Sequence, residues 1–287
     1  MQARLPPAGL KRSVLTLLAA CLPPAFLFAA PLHALELTGK PVQGGVLFGL
    51  SSPGSQVLLD GAEVMVSADG RFVIGFDRDE TGERTLRVRA PDGSEESRTL
   101  TVAPREYAIE RVDGLPPSTV TPDPAALERI REEAALVSAA RARRDARADY
   151  ADGFAWPAGG RISGVYGSQR ILNGEPRRPH YGLDIAAPTG SPVYAPANGV
   201  VTLVHPDMYF SGGTIVLDHG QGLSSTFLHL SRTLVEAGTS VRKGDLIGEI
   251  GATGRASGPH LDWRMNWLDR RVDPQLLVNG EPPPAEN

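Results

Sequence analysis

The chain has 287 residues, 41% of them apolar, and 29 basic against 33 acidic side chains give a formal net charge of -4. That length leaves room for two domains with real cores, and the mixed charge gives no global sign of nucleic-acid binding. A single cysteine excludes an internal disulfide framework, so stability has to come from packed cores and any bound metal.

Residues 1–34 have the pattern of an export signal. Arg4, Lys11 and Arg12 precede an apolar run over 13–30, and Ala34 is a plausible cleavage point. The run holds Pro23 and Pro24 and is short beside the roughly 20 apolar residues of a membrane span. A cleaved signal peptide and an exported, periplasmic protein without a permanent membrane span are therefore expected. Leu18-Ala19-Ala20-Cys21 also resembles the lipobox of bacterial lipoproteins, but the apolar segment continues through Leu22 and Ala25 to Ala30, which suits ordinary cleavage better.

Residues 35–113 read as a small, Ig-like β-sandwich. Val57-Leu58-Leu59 runs into Asp60-Gly61, Val64-Met65-Val66 follows, and Asp69-Gly70 leads into Phe72-Val73-Ile74. Asp92-Gly93 separates Leu86-Arg87-Val88 from Thr99-Leu100-Thr101-Val102. Asp-Gly between apolar runs signals hairpins, because glycine accepts the positive φ of such turns. No polar cluster here has a catalytic pattern, so a spacer or binding module is expected.

Residues 114–150 form a proline-rich linker and a helix. Asp123 suits the N-cap and Pro124 the first helical position. Leu127, Ile130, Ala134 and Val137 recur at helical spacing and predict one narrow packing face. Arg141, Arg143, Arg144 and Arg147 make the far end basic, a solvated face partly balanced by Asp145 and Asp149.

From Trp156 the composition turns glycine-rich, with strands expected over 193–195, 199–204, 214–217, 225–229, 246–250 and 261–265. The fold class is thus mainly β: an N-terminal sandwich, a helical linker, then an antiparallel β domain over 151–280 and a disordered tail over 281–287. Within that domain His180 and Asp184 are spaced HxxxD, His229 follows Phe227-Leu228, and His260 lies in Gly258-Pro259-His260-Leu261-Asp262. Imidazole and carboxylate together suit a catalytic zinc that keeps one position open. His180 is expected in a loop entering a strand near 183–185. On a strand, His260 and Asp262 would share one face. Any one histidine can be a hydrogen-bonded structural residue, and His205 and His219 are read that way.

Residues 161–272 resemble the lysostaphin/LytM-type zinc metallopeptidases, which cleave peptide cross-links of bacterial peptidoglycan. The resemblance is carried by His180-Tyr181-Gly182-Leu183-Asp184 through Tyr194-Ala195, Gly199-Val200-Val201, Asp218-His219-Gly220 and Phe227-Leu228-His229-Leu230-Ser231. Gly244-Asp245-Leu246-Ile247-Gly248 and Gly251-Ala252-Thr253-Gly254 through Gly258-Pro259-His260-Leu261 complete it. It implies one zinc ion held by His180, Asp184 and the residue at position 262, which is the second histidine of an HxH motif in the family and Asp262 here. It also implies that His260 acts as general base or orients the water, and that His229 stabilises the oxyanion or shares proton transfers. The implied reaction is attack of a zinc-activated water on an amide carbonyl. A carboxylate oxygen remains an accepted zinc donor, and Arg264, two residues further on the same strand face, could offset its charge.

The expected function is a zinc endopeptidase acting on peptidoglycan. The alternative is a catalytically silent relative that binds peptidoglycan or activates a cell-wall amidase, with a cell-envelope protein as partner. Tyr181, Trp263 and Tyr166 are candidate groove walls, and 169–178 is expected to be a subsite loop. If the sandwich covers the groove as a latch, a chain starting near Trp156 should be the more active form.

Overall fold

The computed structural model describes residues 1–2, 35–112, 124–172, 174–176 and 178–285. The export signal, Cys21, Asp123 and most of the proline-rich linker lie outside the described residues.

The N-terminal part has eight strands: β1 (Glu36–Gly39), β2 (Val46–Leu50), β3 (Gln56–Leu59), β4 (Ala62–Val64), β5 (Arg71–Gly75), β6 (Gly82–Arg89), β7 (Glu95–Val102) and β8 (Ile109–Val112). They form one sheet in the order β1-β2-β5 and another in the order β4-β3-β6-β7, while β8 belongs elsewhere. Inward residues of both sheets, among them Leu47, Phe72, Ile74, Val57, Leu86 and Leu100, join one apolar core.

Asp60-Gly61 closes the β3–β4 hairpin with φ of 51° and 83°, as a two-residue turn of this hand requires. The 90–94 turn likewise joins β6 to β7. Asp69-Gly70, expected to make a hairpin, does not. The Ser67 hydroxyl donates to Asp69 Oδ1 at 2.5 Å and accepts from Arg71 N at 2.8 Å, closing a local turn. That turn sends the chain across to the other sheet, where β5 pairs with β2.

Helix α1 (Pro124–Arg141) packs against the C-terminal sheet with a face rotated from the expected one. Ala126 is buried and Ile130 and Val137 half-buried, whereas Leu127 and Ala134 are exposed. Polar anchors turn the helix. Arg129 donates to the Asp207 carbonyl, and Glu133 Oε2 accepts from Tyr209 N at 2.8 Å.

Twelve strands follow: β9 (Arg161–Gly164), β10 (Gln169–Leu172), β11 (Glu175–Pro176), β12 (Leu183–Ala186), β13 (Pro192–Tyr194), β14 (Gly199–Met208), β15 (Gly212–Asp218), β16 (Leu223–Thr233), β17 (Ser240–Val241), β18 (Leu246–Ile250), β19 (His260–Trp267) and β20 (Arg270–Val272). The main antiparallel sheet runs β17-β14-β15-β16-β19-β12-β9, with β13, β18 and β20 attached. β15, β16 and β19 are buried almost throughout, which marks them as the centre of the core. Residues 169–178 are not simply a loop: β10 pairs antiparallel with β11 and parallel with β8. Residues 33–287 make one compact unit.

Candidate metal centre

Three adjacent strands supply the site. Asp184 on β12 stands opposite Asp262 on β19, and Asp262 in turn stands opposite Leu228 on β16. His180 precedes β12 in a loop, as expected, and backbone bonds fix it: Gly167 N donates to its carbonyl at 2.7 Å, and its own N–H donates to Ser168 O at 2.9 Å. Two glycines make room for the carboxylates. A Cβ on Gly164 would lie 2.2 Å from Asp184 Oδ2, and one on Gly182 would lie 2.0 Å from Asp262 Oδ1.

Ligand-type atoms of His180, Asp184 and Asp262 all lie within 4.8 Å of one another. His180 Nε2 and Asp184 Oδ1 are 3.1 Å apart, yet both are buried without a hydrogen-bond partner. An unsatisfied buried polar atom costs about 1–3 kcal/mol, so two of them converging on one point call for an occupant. Two donors on one tetrahedral zinc, with bonds of about 2.0–2.1 Å, would stand roughly 3.3 Å apart. The donor set, its spacing and its orphaned atoms all fit a divalent zinc-type ion.

Asp262 is almost fully buried and is held by Arg264. The guanidinium donates from Nε to Oδ1 at 3.0 Å and Oδ2 at 3.1 Å, and from Nη2 to Oδ2 at 2.5 Å. Burial by itself would raise the Asp262 pKa, but the Arg264 charge and hydrogen bonds, helped by His180 and His229, hold it at about 2. The carboxylate is therefore ionised at any ordinary pH.

His229 and His260 face each other beside this cluster, with ring centroids 4.8 Å apart. His260 Nε2 is 3.9 Å from Asp184 Oδ1. His260 Nδ1 contacts the Gly258 carbonyl at 2.8 Å, and His229 Nδ1 contacts the Thr253 carbonyl at 2.8 Å. A carbonyl can only accept, so each Nδ1 carries the proton and each neutral ring offers an Nε2 lone pair. Burial lowers the His229 pKa, against the Thr253 hydrogen bond and the Asp262 charge, which favours that neutral ring.

The five residues expected at the site are thus brought together. Two of the expected walls are not walls: Trp263 and Tyr166 are 0% and 3% exposed. Trp263 alternates with Asp262 and Arg264 along β19 and so faces the opposite side of the sheet. Tyr181 is half-buried. His219 is structural as expected, spanning the Asn198 carbonyl and the Ser225 hydroxyl at 2.7 Å each. Arg141, expected in solvent, turns inward instead and donates from Nη2 to Thr226 Oγ1 at 2.8 Å. No local signal marks it, because the contact spans 85 residues.

The antiparallel sheet carries an imidazole–carboxylate cluster with two further imidazoles beside it, a donor set of the kind metal-dependent hydrolases use. The sequence profile of peptidase family M23 matches residues 178–274. A crystal structure assigned to peptidase M23 from Pseudomonas aeruginosa aligns over 83% of this chain and 95% of that one, with a TM-score of 0.65 and 33% identity. The chain belongs to peptidase family M23. Peptidoglycan DD-endopeptidase ShyA of Vibrio cholerae is 40% identical over 106 residues, 36% of this chain and 21% of that protein. DD-carboxypeptidase/endopeptidase Mpg of Neisseria meningitidis is 38% identical over 97 residues, 34% of this chain and 22% of that protein. The chain spans about a fifth of the length of these curated relatives.

Proposed function

We propose that this chain is a zinc-dependent endopeptidase that hydrolyses peptide cross-links of bacterial peptidoglycan, acting outside the cytoplasm. The observation that carries the reading is the pair of orphaned, buried atoms His180 Nε2 and Asp184 Oδ1 converging with Asp262. Family membership and the endopeptidase relatives supply the substrate class.

His180, Asp184 and Asp262 would hold the ion. Bound zinc supplies Lewis acidity toward a carbonyl oxygen and lowers the pKa of a water. The remaining chemistry belongs to the two imidazoles. His260 presents an Nε2 lone pair toward the cluster and takes a proton from the attacking water. His229, with Nδ1–H committed to Thr253, has no second N–H when neutral. It therefore shares proton transfer, returning a proton to the leaving amine after accepting one, rather than donating to an oxyanion at the outset.

One observation favours the alternative of a non-hydrolytic peptidoglycan binder or amidase activator. Arg264 already engages both oxygens of Asp262 and competes with a metal for them. The two readings part in one assay, in which purified full-length protein and zinc are incubated with isolated sacculi and released fragments are analysed by mass spectrometry. New peptide ends that vanish with a chelator are the expected result. Protein that stays folded and bound while every cross-link survives would replace the enzyme by the binder.

A further inference from the structure

Period two on β19 puts Asp262, Arg264 and Asn266 on one face of the sheet. Arg264 stands opposite Thr226 of β16, and Asn266 opposite Arg271 of β20. Thr226 Oγ1 accepts from Arg141 Nη2 at 2.8 Å, and Asn266 Oδ1 accepts from Arg271 Nη1 at 3.2 Å. Three guanidiniums from α1, β19 and β20 therefore converge beside the His180–Asp184–Asp262 cluster. All three are half-buried, so they keep some exposed surface while being partly stripped of water.

Arg264 is paired with Asp262, but among the described residues no carboxylate is hydrogen-bonded to the side chain of Arg141 or Arg271, which donate to Thr226 and Asn266 instead. Asp77 accepts only the Arg271 backbone N–H, at 3.2 Å. Arg141 Nε is buried without a hydrogen-bond partner. Burial, with repulsion from Arg271 and Arg264, pushes the Arg141 pKa down to about 9, and burial with the Arg264 charge lowers that of Arg271. Both stay charged at neutral pH, so like charges are held together in a partly desolvated place. Such an arrangement is stabilised by an anion with several acceptor oxygens, and planar guanidinium forks match a carboxylate.

We infer that Arg141, Arg264 and Arg271 form a carboxylate subsite beside the metal centre, so that the peptide taken carries a free carboxylate next to the bond to be cut. The inference rests on the endopeptidase reading for the identity of the ligand. A carboxylate could come from a chain terminus, or from a diamino acid that forms the cross-link through its side-chain amine and keeps its own acid group.

The test uses zinc-loaded full-length protein and three fluorescent synthetic cross-linked peptides: both acids free, terminal acid amidated, and diamino-acid carboxylate amidated. Fluorescence anisotropy before turnover gives affinity, and initial rates give kcat/KM. Amidation at one of the two positions should weaken binding at least about tenfold, the loss of a charge-assisted hydrogen-bond pair. The position identifies the source. Arg141→Gln and Arg271→Gln should each pull that ratio toward one with zinc content and melting temperature retained. Arg271→Lys, which keeps charge but loses the fork, should give an intermediate ratio. Equal affinity for all three peptides, or a ratio that survives in the double Gln variant, overturns the subsite. Cutting without carboxylate preference leaves the endopeptidase reading standing and removes this one. Preference without cutting does the reverse.

Discussion

At the level of single residues, position 262 decides the most. Asp262 stands between two demands: Arg264 binds both its oxygens, and one of those oxygens lies in the candidate ligand set only because Gly182 leaves space for it. The Asp262 side chain is 3% exposed and that of Arg264 31%. Breaking a wholly buried pair costs about 3–5 kcal/mol. The partial exposure of Arg264 reduces the expected loss for Asp262→Ala to about 2 kcal/mol in urea unfolding. Adding Arg264→Met to that variant should restore much of the stability by removing the stranded charge. Zinc affinity, read by chelator competition, should fall in both. A double variant that recovers stability and zinc affinity together would remove Asp262 from the ligand set. The Asp262–Arg264 pair was legible in the sequence, because a spacing of two on a strand is short-range information. The Arg141–Thr226 contact was not, since only the packing of α1 on the sheet creates it.

Among the elements, β16 sets the geometry of the His229–His260 pair. Its residues 223–228 pair with β19, and beyond a break it pairs with β18 from Leu230 onward. The break is His229, whose φ is 64°. A left-handed conformation in a residue with a Cβ is strained by about 1–2 kcal/mol, and strain of this kind gathers at functional sites. The kink aims the imidazole at His260 and its N–H at Thr253. Asparagine tolerates this conformation better than other side chains with a Cβ. His229→Asn should therefore keep the melting temperature within a few degrees while lowering kcat by at least about a hundredfold, the scale of a lost acid–base group. A collapse in stability with normal kcat would make His229 a structural residue. The sequence placed the strand cores well, because alternation and Asp-Gly turns are local signals. It missed the partner of β5, because the Ser67 turn that ends the β4 course looks like one more hairpin signal. It also missed β10 and β11, which exist as strands through pairing with β8.

At the scale of the whole molecule, one buried histidine couples stability to pH. Burial pushes the His219 pKa down to about 4, with the Asn198 hydrogen bond opposing. The unfolded chain takes up that proton near pH 6.5, so the stabilising contribution is complete above about 6.5 and shrinks as pH falls toward 4. At about 1.4 kcal/mol per pH unit the loss reaches roughly 3 kcal/mol. Burial-lowered His229 adds with the same sign. Melting temperature should therefore hold nearly level from pH 7.5 to about 6.5 and drop from there to pH 5, and His219→Gln should flatten most of that slope. An unchanged slope in the variant would assign it to other groups.

The N-terminal part of the chain contacts the segment that holds His180. Arg78 is 9% exposed and donates from Nε and Nη2 to the Gly167 carbonyl at 2.9 and 2.7 Å. Tyr107 stacks under that guanidinium, 4.3 Å from its ring centroid, and leaves no space for a Cβ on Gly167, whose φ is 85°. Gly167 and Ser168 are the residues that hold the His180 backbone, so Arg78 reaches a candidate ligand through two hydrogen bonds. Arg78→Ala should cost about 2 kcal/mol for the lost charged hydrogen bonds. It should also weaken zinc binding roughly tenfold, the usual effect of losing a residue that orients a ligand. A chain starting at Trp156 loses Arg78, β8 and Arg141 together, so it should bind zinc and peptide less well than the full chain, the opposite of what a latch predicts. Chelator competition on both proteins decides the matter. If Arg78→Ala melts earlier but binds zinc as before, Arg78 only braces the fold; if the shortened chain gains activity, the N-terminal strands restrain the site instead of building it.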